Sequence, residues 1–263
     1  MNADGQSVIG VIGGAGVAAG ARLAAYVEER VTALGGYRDA HHVELLLWQA
    51  TSAPSRSMFL EGRGPDFTSA YIRIGECLKA CGADVLCMAC NAAHSRADNI
   101  ATAVGLPMIH LLKELFGTVR TRYPEATQAG VLSSTGSRDN HIFDAYANGL
   151  HLLYTNDRTQ ELLTAGICGV KSRNRWLPVT NPERPYTQFL KVSRDLIDKG
   201  AQVLVLACAD IGVDFPEDEV DGVPVLDSMQ VLADSILKYG LKHGDYDRNH
   251  PLYEASQQVK GQG

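Results

Sequence analysis

Short apolar runs alternate along this chain with longer segments in which apolar residues recur at helical spacing. Strands separated by helix-length segments are typical of parallel sheets with crossover helices, so the pattern predicts an α/β fold. The predicted strands are 8–13, 43–48, 129–133, 151–155, 223–226 and the two runs that end just before Cys90 and Cys208. The predicted helices are 17–34, 68–81, 91–103, 139–148, 157–166, 186–199 and 228–243.

The pattern of the first half returns in the second. Three landmarks keep nearly the same offset: Val11 to Val131 is 120 positions, Cys90 to Cys208 is 118, and Pro107 to Pro224 is 117. A shared order and spacing predicts a duplicated unit. We therefore expect two pseudosymmetric doubly wound lobes, each with a mainly parallel central sheet. The expected divisions are 1–115 with 226–247, then 116–225, and a polar tail at 248–263.

Two polar segments interrupt the alternation, at 50–66 and 172–185. The first is rich in Ser, Pro and Gly, and the second contains Trp176 and three prolines. Long loops in compact domains are often functional, so the first segment is a candidate for a functional loop, and the second is predicted to be a loop.

The composition and charge of the chain limit which partners and which cellular compartment are expected. The 263 residues are 45% hydrophobic and carry a net charge of −6 with no basic run, so nucleic acid is not an expected partner. No apolar stretch approaches the roughly 20 residues that span a bilayer. Residues 1–7 are polar and lack the pattern of a secretory signal. Six cysteines in such a chain predict free thiols in a reducing cytoplasm.

Cys90 and Cys208 follow equivalent strands, and ligands of doubly wound sheets bind beyond the carboxyl ends of strands. Two thiols that face each other across a cleft could remove a proton from one face of a carbon atom and return one to the other face. That pair would invert a stereocentre without a cofactor. The alternative is that a cysteine is a small buried hydrophobe. This alternative is the expectation for the remaining cysteines, Cys77, Cys81, Cys87 and Cys168.

A Cys87-x-x-Cys90 spacing also occurs in zinc sites and in thioredoxin-like redox sites. A zinc site would need a second close ligand pair, which the sequence lacks. A redox pair would leave the repeat of Cys208 unexplained. We therefore expect no bound metal.

The glycine-rich turn contains Gly14-x-Gly16-x-x-Ala19, which matches a dinucleotide-binding fingerprint. That fingerprint expects an acidic residue at the end of the next strand, and the strand here ends Leu-Trp-Gln at 47–49. We therefore expect no cofactor. The glycines would instead let the backbone approach a small anionic ligand.

Six motifs in order resemble those of the cofactor-independent aspartate/glutamate racemase superfamily over nearly the whole chain. They are 13–16 (the family's Gly-Gly-Met-Gly), 52–56 (the end of its Pro-x-Ile-Pro-Asp-Arg loop), 90–94 (Cys-Asn-Thr-Ala-His), 130–137 (Gly-Val-Leu-Gly-Thr-x-Gly-Thr), Lys171, which closes a helix, and 207–211 (Gly-Cys-Thr-Glu-Ile).

The resemblance implies an amino-acid racemase with the active site in the cleft between the two lobes and with Cys90 and Cys208 as the acid/base pair. It implies that Asn91 and nearby backbone hold the α-carboxylate and that Arg56 reaches a side-chain carboxylate, unless Arg56 is a solvated loop residue. An amino acid with a second polar or acidic group is the expected substrate, and a homodimer the expected assembly. The other substrate-binding candidates are Gly14, Ala15, Ala92, Ser134, Thr135, Lys171 and Ala209. His94 is expected to be structural.

The chain departs from the family pattern next to the reacting centre. Alanine replaces threonine at Ala92 and Ala209, serine replaces aspartate at Ser55, Ala15 replaces methionine, and Phe143 replaces a common tyrosine. Two alternatives therefore stay open. One is a maleate isomerase-like enzyme that isomerises a dicarboxylic acid with a cysteine nucleophile. The other is a binding protein on a racemase scaffold.

Overall fold

A computed structural model describes residues 7–241, and the expected polar tail at 248–263 lies outside them. The first sheet is formed by β1 (Ile9–Gly13), β2 (Leu45–Gln49) and β3 (Val85–Met88). These strands run parallel in the order β2-β1-β3.

The second sheet is formed by β4 (Gln128–Leu132), β5 (His151–Leu153), β6 (Val203–Leu206), β7 (Glu219–Val220) and β8 (Val223–Asp227). Its order is β5-β4-β6-β8-β7, and every neighbouring pair is parallel except β7 with β8. The central strands β1 and β4 are flanked by equivalent partners, β2 with β3 and β5 with β6. The predicted α/β fold with two mainly parallel, pseudosymmetric lobes is confirmed.

Helices connect the strands. They are α1 (Val17–Ala33), α2 (Arg56–Leu60), α3 (Thr68–Ala80), α4 (Ala97–Val104), α5 (Leu111–Arg122), α6 (Thr135–Asp139), α7 (Asp157–Val170), α8 (Pro185–Asp198), α9 (Ile211–Asp214) and α10 (Ser228–Gly240). Short 3-10 helices lie at Asp39–His41, Ala92–Arg96, Asp144–Tyr146 and Arg173–Trp176. No helix within residues 7–241 is long and apolar enough to cross a membrane.

Strands β1, β3, β4 and β6 are buried on both faces, which explains why they are apolar runs rather than alternating patterns. On β1, Ile9 and Val11 pack in one apolar cluster with α1, while Ile12 packs in another with α3. On β6, Val203 and Val205 face one cluster of the second lobe, and the intervening residues face the other.

Helix α10 contacts both lobes. Leu232, Ile236 and Leu237 pack in the cluster of the first lobe that contains β1, and Val231 packs with α5 in a cluster of the second. The two lobes therefore contact each other through apolar packing as well as at the cleft.

The helix predicted at 139–148 is wrong. The structure has α6 earlier in the chain and only a 3-10 turn at Asp144–Tyr146. His141 and Asn148 have φ angles of 50° and 52°. Left-handed backbone at these positions is incompatible with a continuous right-handed helix.

Candidate active site

Cys90 and Cys208 lie at matching places in the two lobes. Strand β3 ends at Met88 and β6 ends at Leu206, so each cysteine comes two residues after its strand. Both residues are half-buried, and both line one cavity of about 80 Å³ between the lobes. We call this cavity the inner chamber. The structure thus brings the two cysteines together at the carboxyl ends of two parallel strands, where ligands of such sheets bind.

Most of the other residues predicted to bind substrate also line the inner chamber. They are Ala15, Arg56, Asn91, Ala92, Ser134, Lys171 and Ala209. Gly14 instead lines a larger adjoining cavity, where its φ of 81° and the nearness of Ala50 exclude a side chain. Thr135 lines neither cavity, because its hydroxyl bonds Thr164 Oγ1 at 3.0 Å.

Arg56 is the cation beside Cys90. It begins α2, whose N-terminus is capped by the Ser55 hydroxyl, and its Nη1 donates to the carbonyl oxygen of Pro54 at 2.9 Å. Burial lowers the pKa of Arg56, but Cys90, Tyr71 and Asp210 together raise it above its usual range. Its Nε is buried and has no hydrogen-bond partner within the described chain. Arg56 is therefore a half-buried residue of the site and not a solvated loop residue.

Asp210 is the acid beside Cys208, and sequence reasoning left it out of the site. Its Oδ2 accepts a salt bridge from Lys171 Nζ at 2.7 Å, and its side chain is only 5% exposed. Burial raises the pKa of Asp210, and the Lys171 ammonium opposes that rise. The sequence did contain a signal for Asp210, because this residue follows Cys208 by two positions within the motif at 207–211.

The glycine-rich turn of the first lobe makes room for Asp210. A Cβ atom on Gly16 would lie 2.1 Å from Asp210 Oδ1. That oxygen is buried and has no hydrogen-bond partner among residues 7–241. The two lobes therefore meet where Gly16, which has no side chain, leaves space for the carboxylate of Asp210.

The surroundings of Cys208 favour a neutral thiol. Burial, and after it the Asp210 carboxylate, raises the pKa of Cys208 to about 12, although Lys171 and a backbone N–H of Asp210 act in the opposite direction. A group with that pKa keeps its proton at neutral pH, so Cys208 can donate it.

Asn91 follows Cys90 and is only 2% exposed. Its Nδ2 donates to Ser228 Oγ at 2.9 Å, at the first residue of α10. Its Oδ1 is buried without a partner in the described part of the chain. The amide oxygen is therefore an acceptor that a donor from a bound ligand would satisfy.

His94 supports the Cys90 turn from behind and does not line the inner chamber. Its Nδ1 lies 2.9 Å from the Cys90 carbonyl oxygen. Burial, assisted by the nearby His110, lowers the pKa of His94 to about 3. The ring is therefore neutral, and because a carbonyl only accepts hydrogen bonds, Nδ1 carries the proton.

The exposure of the remaining four cysteines agrees with the prediction for one of them and differs for three. Cys87 is buried as expected, and burial raises its pKa to about 12. Cys77, Cys81 and Cys168 are exposed, so the prediction that they are buried hydrophobes is wrong. Cys77 and Cys168 lie in the C-terminal halves of α3 and α7, and Cys81 is the residue that follows α3.

A larger cavity of about 930 Å³ adjoins the inner chamber, and we call it the outer vestibule. Arg56, Lys171 and Asp210 line both cavities. The far wall of the vestibule includes the 3-10 helix Arg173–Trp176, which no motif in the sequence had indicated.

The fold and the chamber together define a class: two-lobed α/β proteins with one thiol from each lobe in a shared cleft. The model of the Asp/Glu/Hydantoin racemase family matches residues 12–236. The chain therefore belongs to that family.

The similar proteins agree with this assignment. The chain is 26% identical over 163 residues to the broad specificity amino-acid racemase RacX of Bacillus subtilis, a match that covers 60% of this chain and 65% of that relative. Picrophilus torridus aspartate racemase shares the fold with a TM-score of 0.71 at 19% identity, over 94% of this chain and 99% of the other. Glutamate racemase RacE1 of Bacillus anthracis has a TM-score of 0.65 at 16% identity, over 88% and 82%.

Proposed function

We propose that this protein is a racemase or epimerase of amino acids that works without pyridoxal phosphate and inverts Cα by two-base proton transfer between Cys90 and Cys208. One observation carries the proposal: a cysteine from each lobe, at equivalent positions after equivalent strands, lines the same inner chamber. The family membership and the similarity to a broad specificity amino-acid racemase support the reaction class.

The different surroundings of the two thiols suggest their roles in the resting enzyme. Cys90, beside the Arg56 guanidinium, acts as the thiolate that takes the Cα proton. Cys208, whose pKa is raised to about 12, acts as the thiol that gives a proton to the opposite face. After inversion Cys90 holds the proton and Cys208 the charge. Exchange with water restores the resting pair, and the opposite enantiomer reverses the sequence.

The unpartnered acceptors of the chamber suit an α-ammonium group. Asn91 Oδ1 and Asp210 Oδ1 are both buried without a donor within the described residues. Binding an N–H donor from the substrate would remove the cost of leaving these atoms unpaired, about 1–3 kcal/mol each. We assign the α-carboxylate to Arg56 and to backbone N–H groups near Ala92 and Ala209. The two alanines leave room there that a threonine would occupy.

The first test is proton NMR in D₂O with purified enzyme, no added cofactor, and a panel of L- and D-amino acids that begins with aspartate and glutamate. Loss of the α-proton signal is expected with at least one substrate. Cys90→Ala and Cys208→Ala should each lower the rate by about 10²–10⁴-fold, the usual contribution of a positioned acid or base. Cys168→Ala is the matched control, because it removes an exposed thiol outside the chamber.

Full activity of the Cys208→Ala enzyme would contradict the two-base mechanism. A covalent adduct between Cys90 and a maleate-like acid, seen by mass spectrometry, would instead favour the dicarboxylate isomerase. Tight binding of an amino acid without any exchange would favour the binding protein.

A further inference from the structure

The inner chamber is small for a whole substrate. Pockets that bury small ligands usually measure about 300–1,000 Å³. The chamber measures about 80 Å³, whereas the outer vestibule beside it measures about 930 Å³. Because Arg56, Lys171 and Asp210 line both cavities, a ligand with its Cα between the thiols has its side chain directed into the vestibule.

The charges of the vestibule are strongly unequal. Its basic lining residues are Arg56, Lys171, Arg173 and Arg175, and its acidic one is Asp210. Lys171 and Asp210 form a salt bridge, and Arg56 faces Cys90. Within residues 7–241, Arg173 and Arg175 have no carboxylate partner. This wall therefore carries positive charge that nothing in the described chain neutralises.

Arg175 has the geometry of a prepared anion-binding group. Its Cζ lies 4.5 Å from the centroid of the Trp176 ring, so the ring orients the guanidinium. Its Nε is buried and has no hydrogen-bond acceptor among the described residues. A carboxylate or phosphate pairs with two N–H groups of such a fork at once. The exposed ring of Trp176, which is 74% accessible, adds an apolar surface beside it.

The segment that presents these residues is held firmly. Ser172 Oγ caps the 3-10 helix by accepting from Asn174 N at 3.1 Å, and it donates to the Gly169 carbonyl oxygen at the end of α7. Arg184 binds the Leu177 carbonyl oxygen and both carboxylate oxygens of Asp214. These hydrogen bonds anchor the segment on both sides of Arg175.

We propose that the outer vestibule is the side-chain subsite of the proposed racemase, and that Arg175, oriented by Trp176, binds an anionic group at the far end of a long substrate side chain. This inference rests on the proposed function and refines its substrate class. The preferred substrates are amino acids whose side chains are longer than that of glutamate and end in a carboxylate or a phosphate. Arg175 is a specificity-determining residue and takes no part in proton transfer.

The test compares 2-aminopimelate, which ends in a carboxylate, with 2-aminoheptanoate, which has the same carbon chain and a neutral end. Exchange of the α-proton in D₂O gives kcat/KM for each. The wild-type enzyme should prefer the anionic member by about 10- to 100-fold, the range expected for a hydrogen bond to a charged group. A phosphonate of similar length, 2-amino-5-phosphonopentanoate, distinguishes a phosphate-selecting site from a carboxylate-selecting one.

Variants at Arg175 and Trp176 test whether these two residues cause the preference for the anionic substrate. Arg175→Gln should abolish it, mainly by raising KM, because the contact is the same in the ground state and the transition state. Trp176→Ala should weaken it about 10-fold, and Trp176→Phe should restore part of the loss. Arg194→Gln is the matched control, since it removes an exposed arginine that lines neither cavity, and it should leave the preference intact.

Calorimetric binding of 2-aminopimelate separates this inference from the proposed function. Exchange with short amino acids, but equal rates for the matched pair or equal effects of Arg175→Gln and Arg194→Gln, overturns the subsite and leaves the racemase standing. If no amino acid exchanges, the racemase proposal fails. Binding that does not weaken in Arg175→Gln then overturns the subsite as well, whereas binding that weakens keeps it as a ligand site.

Discussion

The two thiol regions share a backbone plan and differ in charge. Cys90 and Cys208 follow the equivalent parallel strands β3 and β6 by two residues, but Arg56 lies beside the first cysteine and Asp210 beside the second. The difference continues four residues further along the chain. His94 lies there in the first lobe, and Gly212 lies there in the second.

Gly212 is matched by a buried acid, because a Cβ atom on it would lie 2.3 Å from Asp227 Oδ2. The segment after Cys90 thus contains a buried imidazole, whereas the segment after Cys208 packs against a buried carboxylate. Duplication preserved the positions of the two reacting groups but not their electrostatics. The comparison teaches that a symmetric reaction can begin from an asymmetric resting state.

The largest expected effect concerns His94. Burial and His110 hold its pKa at about 3, against 6.5 in the unfolded chain. Since the lowered pKa belongs to a group that is buried neutral, this part of the stability is present above about pH 6.5 and is lost as the pH falls toward 3. The shift corresponds to at most about 5 kcal/mol. Urea unfolding at pH 7 and pH 4 should show a smaller acid loss in His94→Asn, and equal losses would refute this.

Asp227 should act in the opposite direction. Burial raises its pKa from 3.8 to about 6, while its Oδ1 accepts from Met229 N at the start of α10. Its contribution to stability is full below about pH 4 and is lost as the pH rises through 6, by at most about 3 kcal/mol. Asp227→Asn keeps the helix cap, so its gain in unfolding free energy should be greater at pH 7 than at pH 4. A pH-independent gain would contradict this prediction.

Arg56→Gln removes the charge beside Cys90. If the racemase proposal holds, kcat/KM should fall about 10- to 100-fold, the cost of one charge-assisted contact, and Arg56→Lys should recover part of the loss. Arg63→Gln supplies the control, because Arg63 is exposed and pairs with Glu61. Equal rates of α-proton exchange in the two Gln variants would show that the guanidinium does not serve Cys90.

Gly16→Ala tests the contact between the lobes. The added Cβ would lie 2.1 Å from Asp210 Oδ1, so the lobes must separate or the carboxylate must move. Overpacking of this kind typically costs about 1–3 kcal/mol. Gly117→Ala in α5 is the control, since no atom lies within 4 Å of its Cβ, and it should stabilise the helix. Thermal unfolding separates the two, and equal midpoints would contradict the contact.

The smallest expected effects concern the reactivity of Cys208. Asp210 raises its pKa and Lys171 lowers it. Asp210→Asn should therefore speed its alkylation by iodoacetamide at pH 8.5, and Lys171→Gln should slow it, because the thiolate is the nucleophile. Peptide mass spectrometry resolves Cys208 from the exposed cysteines. If both variants changed the rate of Cys208 alkylation in the same direction, the proposed opposite effects of Asp210 and Lys171 would be contradicted.

The strands, the repeat and the two cysteines could be predicted from the sequence because buried parallel strands leave continuous apolar runs and duplication leaves a constant offset. The break at His141 could not, because a left-handed residue other than glycine gives no signal in composition. Exposure of Cys168 was also missed, since a small cysteine can lie on either face of an amphipathic helix.

The residues at the centre of the candidate site could be predicted from the sequence, whereas those at its edge could not. Cys90, Cys208 and Arg56 belong to short motifs, and the structure gathers them at one chamber. Thr135 belongs to a motif too, but its hydroxyl turns toward Thr164. The contact of Asp210 with Gly16 joins positions far apart in the chain, and only the folded backbone reveals it.

That contact has a consequence for how this sequence can evolve. A side chain at position 16 is tolerated only if position 210 becomes shorter, because glycine already leaves the most space that position 16 can provide. Among the descendants of this chain, a larger residue at position 16 should therefore appear only together with a shorter one at position 210, 194 residues further along the chain.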